Sequence, residues 1–129
     1  MNTIPPIKIL VADDEIYMLR LLAVPLPTGG FEVVSCRDGK TALATAATDR
    51  PQLIVLDVMM PGLDGLEALR RLKEDPATQN IPVVVLSARG HALTRVEAEQ
   101  AGAALFLTKP FSPNHLLGEL NRILGKTTA

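Results

Sequence analysis

Residues Leu53-Ile54-Val55-Leu56-Asp57-Val58-Met59-Met60-Pro61-Gly62-Leu63-Asp64-Gly65 form an apolar run that ends on one carboxylate and breaks at once into a Pro/Gly turn. Four consecutive apolar residues bounded by turn signals are the pattern of a strand buried on both faces, the kind found in parallel sheets. A carboxylate at the C-terminal end of such a strand stands on the rim where open α/β sheets bind ligands, so Asp57 is a candidate site residue by position. The competing reading is an Asp that only caps its own loop.

The rest of the chain repeats this theme. Ile7-Lys8-Ile9-Leu10-Val11-Ala12 reads as a first strand that stops at Asp13-Asp14-Glu15, a helix-start signal and a dense negative cluster. Ile16, Leu19, Leu22 and Ala23 follow at helical spacing, which predicts an amphipathic helix with its start stabilised by those acids. Pro25 and Pro27 lack an N–H and clash with the preceding turn, so this helix is expected to stop or kink near Val24. Gly29-Gly30 leads into a second strand over residues 31–36. Asp38-Gly39 reads as a turn or cap, and a thin Ala-rich helix follows through Ala42, Leu43, Ala46 and Ala47.

After Asp57, Asp64 and Glu67 resemble a capping box opening a third helix through Leu66, Leu69 and Leu72, and Asp75-Pro76 closes it. Residues 82–86 form a fourth apolar run that ends on Ser87. A fourth helix is expected over about 91–101, then a fifth strand over 103–108 that ends on Lys109-Pro110. Ser112 reads as an N-cap with Pro113 at the first helical position. Leu116, Leu117, Leu120, Ile123 and Leu124 form the stripe of a last helix that Gly125 caps. Five strands alternating with five helices predict an α/β fold, a doubly wound parallel sheet covered on both faces.

The totals narrow the function. A length of 129 residues suits one domain with a sizeable core, here about residues 6–125, with 126–129 a polar tail. Thirteen basic against fourteen acidic side chains give no basic excess for direct nucleic-acid binding. No apolar stretch approaches the ~20 residues of a membrane span. One cysteine, Cys36, cannot form an internal disulfide, and the Met1 end shows no signal-peptide pattern, so a cytoplasmic protein is expected. Cys36 itself reads as a small core residue.

Four of the five strands deliver a reactive side chain to one rim: Asp13 and Asp14, Asp57, Ser87 and Lys109. Two like charges ~4 Å apart repel by about 4 kcal/mol at an effective dielectric near 20, so three clustered carboxylates need a counter-charge or must take up protons. Oxygen-only ligands suit Mg²⁺ or Mn²⁺, and Mg²⁺ keeps positions open for a phosphoryl oxygen. With the Lys109 ammonium and the Ser87 hydroxyl, the set describes a pocket for a phosphoryl group, in which an ionised Asp57 can act as nucleophile.

Asp13-Asp14, Asp57 with Met60-Pro61-Gly62-Leu63-Asp64-Gly65, Ser87-Ala88 and Lys109-Pro110 resemble the signature of response regulator receiver domains of the chemotaxis type. The resemblance covers about residues 6–125. It implies a flavodoxin-like sheet of order 2-1-3-4-5 and a switch in two-component signalling, not a conventional enzyme. Asp57 would accept phosphate from a histidine of a sensor kinase or a histidine phosphotransfer protein. Asp13, Asp14, Asp57 and the Met59 carbonyl would hold Mg²⁺. Ser87 would then move onto the phosphoryl oxygen, and Phe106, at the family's aromatic switch position, would reshape the surface of the fourth helix, fifth strand and last helix. Plain core packing is the other reading of Phe106. Lys109-Pro110 would be cis. Pro25 and Pro27 depart from the family where its first helix has its final turn. Met59 and Arg89 occupy positions that tune acyl-phosphate hydrolysis in that family.

Other readings fit less well. A phosphatase of the haloacid dehalogenase type also uses a strand-end Asp with Mg²⁺, but typically carries a second carboxylate two residues later, where this chain has Met59. A flavin binder of the flavodoxin type wants a hydroxyl- and glycine-rich loop after the first strand, and Asp13-Asp14-Glu15 would repel its phosphate. His91 and His115 lie near predicted helix starts without metal-ligand spacing and read as exposed or capping residues, so a phosphohistidine must come from a partner.

Overall fold

The structure is a computed structural model that describes residues 6–88 and 92–125. Five parallel strands form one sheet in the order β2-β1-β3-β4-β5. They are β1 (Ile7–Ala12), β2 (Phe31–Cys36), β3 (Leu53–Asp57), β4 (Val83–Ser87) and β5 (Leu105–Thr108). Helices α1 (Ile16–Leu22), α2 (Pro25–Thr28), α3 (Gly39–Asp49), α4 (Gly65–Glu74), α5 (Ala92–Gln100) and α6 (Pro113–Leu124) connect and cover them. The expected five connections are present. The first consists of two helical pieces, because α1 ends at Leu22 and the chain restarts with Pro25 at the first helical position of one short turn.

Strand alternation divides the core between the two faces of the sheet. Leu10, Ala12, Ile54, Leu56, Val83, Val85 and Phe106 meet α3, α4 and α5 on one face. Ile9, Val11, Leu53, Val55, Val84 and Leu86 meet α1, α2 and α6 on the other. Every residue of β3 and β4 is buried, as a central parallel strand requires.

Local expectations fail in four places. The first turn of α1 holds no acid, because the helix starts at Ile16, after the acidic cluster, and its N-cap residue Glu15 makes no side-chain cap because that carboxylate pairs with Lys109. The buried stripe of α1 is Met18 and Leu22, while Ile16 is 44% exposed. Only half of the capping box on α4 forms: Asp64 accepts the Glu67 N–H at 2.9 Å, but the Glu67 carboxylate pairs with Arg70 and Arg71. Finally, β5 starts at Leu105 and not at Ala103, since the Ala103 N–H is taken by the Ala98 carbonyl at the end of α5. The expected start of α5 at His91 lies outside the described residues, as does Arg89.

Other expectations agree. Asp38 and Ser112 cap α3 and α6, Gly125 ends α6 with φ +72°, and Cys36 is a buried free thiol. His115 is exposed. Among the described residues no helix is long and apolar enough to cross a membrane.

Beyond α4, the buried Thr78 hydroxyl donates to the Leu72 carbonyl at 2.7 Å and satisfies one of the orphan acceptors of the helix end. Thr78→Val leaves that carbonyl dry and unpaired. A loss of about 1–2 kcal/mol in urea unfolding is expected, with phosphoryl acceptance unaffected because the change lies at the opposite end of α4 from Gly65.

Candidate functional site

The rim is assembled by backbone hydrogen bonds between neighbouring strand ends. The Asp13 N–H donates to the Cys36 carbonyl (3.1 Å), and the Arg37 guanidinium donates to the Asp14 carbonyl (3.1 Å), tying the loop after β1 to the end of β2. The Val58 N–H donates to the Leu86 carbonyl (2.9 Å), and the Gly65 N–H donates to the Val58 carbonyl (3.0 Å), folding the loop after β3 back on itself. The Lys109 N–H donates to the Ser87 carbonyl (2.7 Å), so β4 and β5 end together. Lys109-Pro110 is cis.

These anchors bring the acids to one point. Asp13, Asp14 and Asp57 each offer a carboxylate oxygen within 4.8 Å of the others. The Lys109 ammonium lies 2.8 Å from Asp13 Oδ2 and 3.2 Å from Asp57 Oδ1. Asp13 is fully buried, and Asp57 nearly so. A third acid, Glu15, reaches the same ammonium at 2.8 Å. The sequence shows Glu15 as one more acid at a helix start. No local signal distinguishes it from a capping residue, because its partner stands 94 positions away.

Ser87 closes β4, is 4% exposed and falls by strand alternation on the face that carries Val83, Val85 and Phe106. Phe106 is buried in that cluster, and the Arg95 guanidinium lies 4.9 Å from the centre of its ring, a cation–π contact. Met59 is 69% exposed and shares with Asp14 a groove of about 490 Å³ that also runs along Met60, Pro61 and Gly62.

One ammonium does not neutralise this group of carboxylates. Burial, together with the charge of Asp13, pushes the Asp57 carboxyl up to about 6 even though Lys109 pulls it down. Burial alone would depress Lys109, but hydrogen bonds to Asp13 and Glu15 and the attraction of Asp57 hold it well above the ordinary lysine range. The lysine therefore stays charged, and the pocket keeps an excess of negative oxygen donors, the donor set of a hard divalent cation.

The raised Asp57 carboxyl has a consequence for stability. Its folded value lies above its unfolded value near 3.8, so its favourable contribution is present below about pH 4 and is lost as pH rises through about 6. In a chelating buffer, Asp57→Asn should therefore gain on the wild type by on the order of 2 kcal/mol between pH 4 and pH 7, read by urea unfolding at both pH values.

A doubly wound α/β unit whose strand-end rim gathers aspartates around one lysine defines a flavodoxin-like protein with an acidic rim site. The model of the response regulator receiver domain matches residues 9–121, and the chain belongs to that family: it is a receiver domain of two-component response regulators, a signalling switch. Response regulator PleD of Caulobacter vibrioides is 48% identical over 103 residues, 80% of this chain and 23% of PleD. The phosphate regulon transcriptional regulatory protein PhoB of Pseudomonas aeruginosa is 38% identical over 119 residues, 92% of this chain and 52% of PhoB. The structure of chemotaxis response regulator CheY4 of Vibrio cholerae is similar with a TM-score of 0.84 at 32% identity, covering 90% of this chain and 97% of that one. The chain thus spans between about a quarter and a half of the length of these two curated relatives. Nothing in these matches supports the phosphatase alternative.

Proposed function

We propose that Asp57 is the phosphoacceptor of this receiver and that the chain catalyses its own phosphorylation and slow dephosphorylation, the donor being a phosphohistidine on a sensor histidine kinase or a histidine phosphotransfer protein. A carboxylate oxygen of Asp57 forms the new P–O bond as the P–N bond breaks. The bonding pair stays on the donor imidazole nitrogen, which takes a proton from solvent. Asp57 is ionised at neutral pH and needs no general base. Lys109 and the Ser87 hydroxyl would stabilise charge on the phosphoryl oxygens in the transition state.

The acid pocket fits Mg²⁺, with Mn²⁺ as a substitute: Asp13, Asp14, Asp57 and the Met59 carbonyl would hold it. When bound, the ion neutralises the carboxylates and leaves positions open for phosphoryl oxygens. Ser87 would follow the new phosphoryl group, and Phe106, paired with Val85 on the same face of the sheet, would pass the change to the α5/β5/α6 surface. Residues 1–129 are read as one receiver unit acting in the cytoplasm through another protein or domain, with no direct contact to nucleic acid or membrane.

The observation that supports this reading best is that Lys109 Nζ lies within 3.2 Å of Asp57 and 2.8 Å of Asp13, two strand ends far apart in sequence. The test is intact-mass spectrometry after incubation with Mg²⁺ and acetyl phosphate. A labile gain of one phosphoryl group that Asp57→Asn abolishes is expected. Sustained release of phosphate from a simple phosphate ester, on the order of 1 s⁻¹ or faster, would overturn it.

A further inference from the structure

The Lys109 ammonium carries three protons, and three carboxylates surround it: Asp13 at 2.8 Å, Glu15 at 2.8 Å and Asp57 at 3.2 Å. They are not equivalent. Asp13 is fully buried, and its other oxygen accepts the Glu15 N–H at 3.0 Å, so it is held from two sides. Asp57 is buried at the tip of β3. The Glu15 side chain is 56% exposed, so water can replace the lysine as its partner.

Hydrogen bonds tie that ammonium to Asp13 and to Glu15, and Asp57 meets it as an ion pair at 3.2 Å. Phosphorylation turns the Asp57 carboxylate into an acyl phosphate and carries the negative charge outward onto the phosphoryl oxygens, so Lys109 must leave its resting place to follow that charge, against the hold of Asp13 and Glu15. Exposed ion pairs are worth little, whereas unpairing a buried carboxylate leaves a charge that nothing compensates. Glu15 is the partner whose release costs least.

Resting on the reading of Asp57 as phosphoacceptor, we propose that Glu15 is a positioning residue: it holds Lys109 in the resting state and is the partner that Lys109 exchanges for the phosphoryl group. Glu15 is also the N-cap residue of α1, yet its side chain makes no cap hydrogen bond. With Tyr17, Lys109, Pro110 and Phe111 it borders a groove of about 540 Å³. Its release therefore moves a negative charge at the edge of that groove and links phosphorylation to the first turn of α1.

The test titrates the full chain, in Mg²⁺, with beryllofluoride as a mimic of the carboxylate-bound phosphoryl group, and follows the ¹⁵N resonance of the Lys109 ammonium. Glu15→Gln keeps the shape and removes the charge. Glu15→Asp keeps the charge on a side chain one methylene too short to reach Lys109. Both variants should bind beryllofluoride roughly two- to fivefold more tightly than the wild type. In both, the resonance of the free protein should already be displaced toward its bound position. Unchanged or weaker binding by Glu15→Gln would overturn the inference. So would tightening in Glu15→Gln but not in Glu15→Asp, which would mark a general charge effect and not a contact. If the wild type binds no beryllofluoride, or Asp57→Asn binds it equally well, the acceptor reading itself fails and this inference falls with it.

Discussion

Lys109→Met is expected to cost about 3–5 kcal/mol of folding stability at neutral pH in a chelating buffer, a large share of what holds a domain of this size together. The lysine side chain is 8% exposed, and it is paired with a fully buried Asp13 and a nearly buried Asp57. Methionine preserves the length of the side chain and most of its packing, so the loss isolates the charge. Without the ammonium, the folded-state carboxyl of Asp57 rises further above its unfolded value, because Lys109 is what pulls it down. The damage should therefore shrink as pH is lowered and the carboxyl takes up a proton, and it should also shrink on adding Mg²⁺. Urea unfolding at two pH values, with and without the ion, measures all of this. Equal destabilisation at every pH would mean that Lys109 acts through packing alone.

Gly65→Ala should be comparably severe, for a steric reason. A Cβ at position 65 would overlap the Asp57 carbonyl oxygen and sit 2.8 Å from its carbon and 3.0 Å from Val58 Cα. These are backbone atoms and cannot swing aside, so either Asp57 or the start of α4 must shift. A loss of several kcal/mol, or a phosphoryl acceptance reduced at least tenfold in a chain that still folds, is the expected outcome. Gly62→Ala is the matched control. Position 62 has φ +72° but nothing within 4 Å of an added Cβ, so only backbone strain of about 1 kcal/mol should appear. Unfolding of both variants beside a phosphorylation time course separates the two cases.

Much of the fold is legible because its strands are short apolar runs that stop on a charged or hydroxyl side chain. Residues 53–57 show both the buried strand and the residue at its tip, and Leu107-Thr108-Lys109-Pro110 does the same at the sheet edge. Helix ends were legible where the signal is local, as with Asp38, Ser112 and Gly125. Local rules failed where a distant partner intervened. Glu15 follows the rule for an acid at a helix start, but Lys109 competes for it from across the sheet and wins, since a desolvated ammonium gains more from a carboxylate than a solvated N–H does. Ala103 has the composition of a strand, but its N–H is already bound to the preceding helix. The close approach of Gly65 to Asp57, and the position of Arg95 over Phe106, depend on tertiary geometry that no window of sequence encodes.

Where the phosphoryl group is attached can be read directly in the unmodified chain. After phosphorylation with acetyl phosphate and Mg²⁺, borohydride reduces an aspartyl phosphate to homoserine, and peptide mass mapping locates it. If Asp57 is the acceptor, homoserine appears at position 57 alone. Homoserine at position 13 or 14, or an acid-stable phosphate on Ser87, would contradict the assignment.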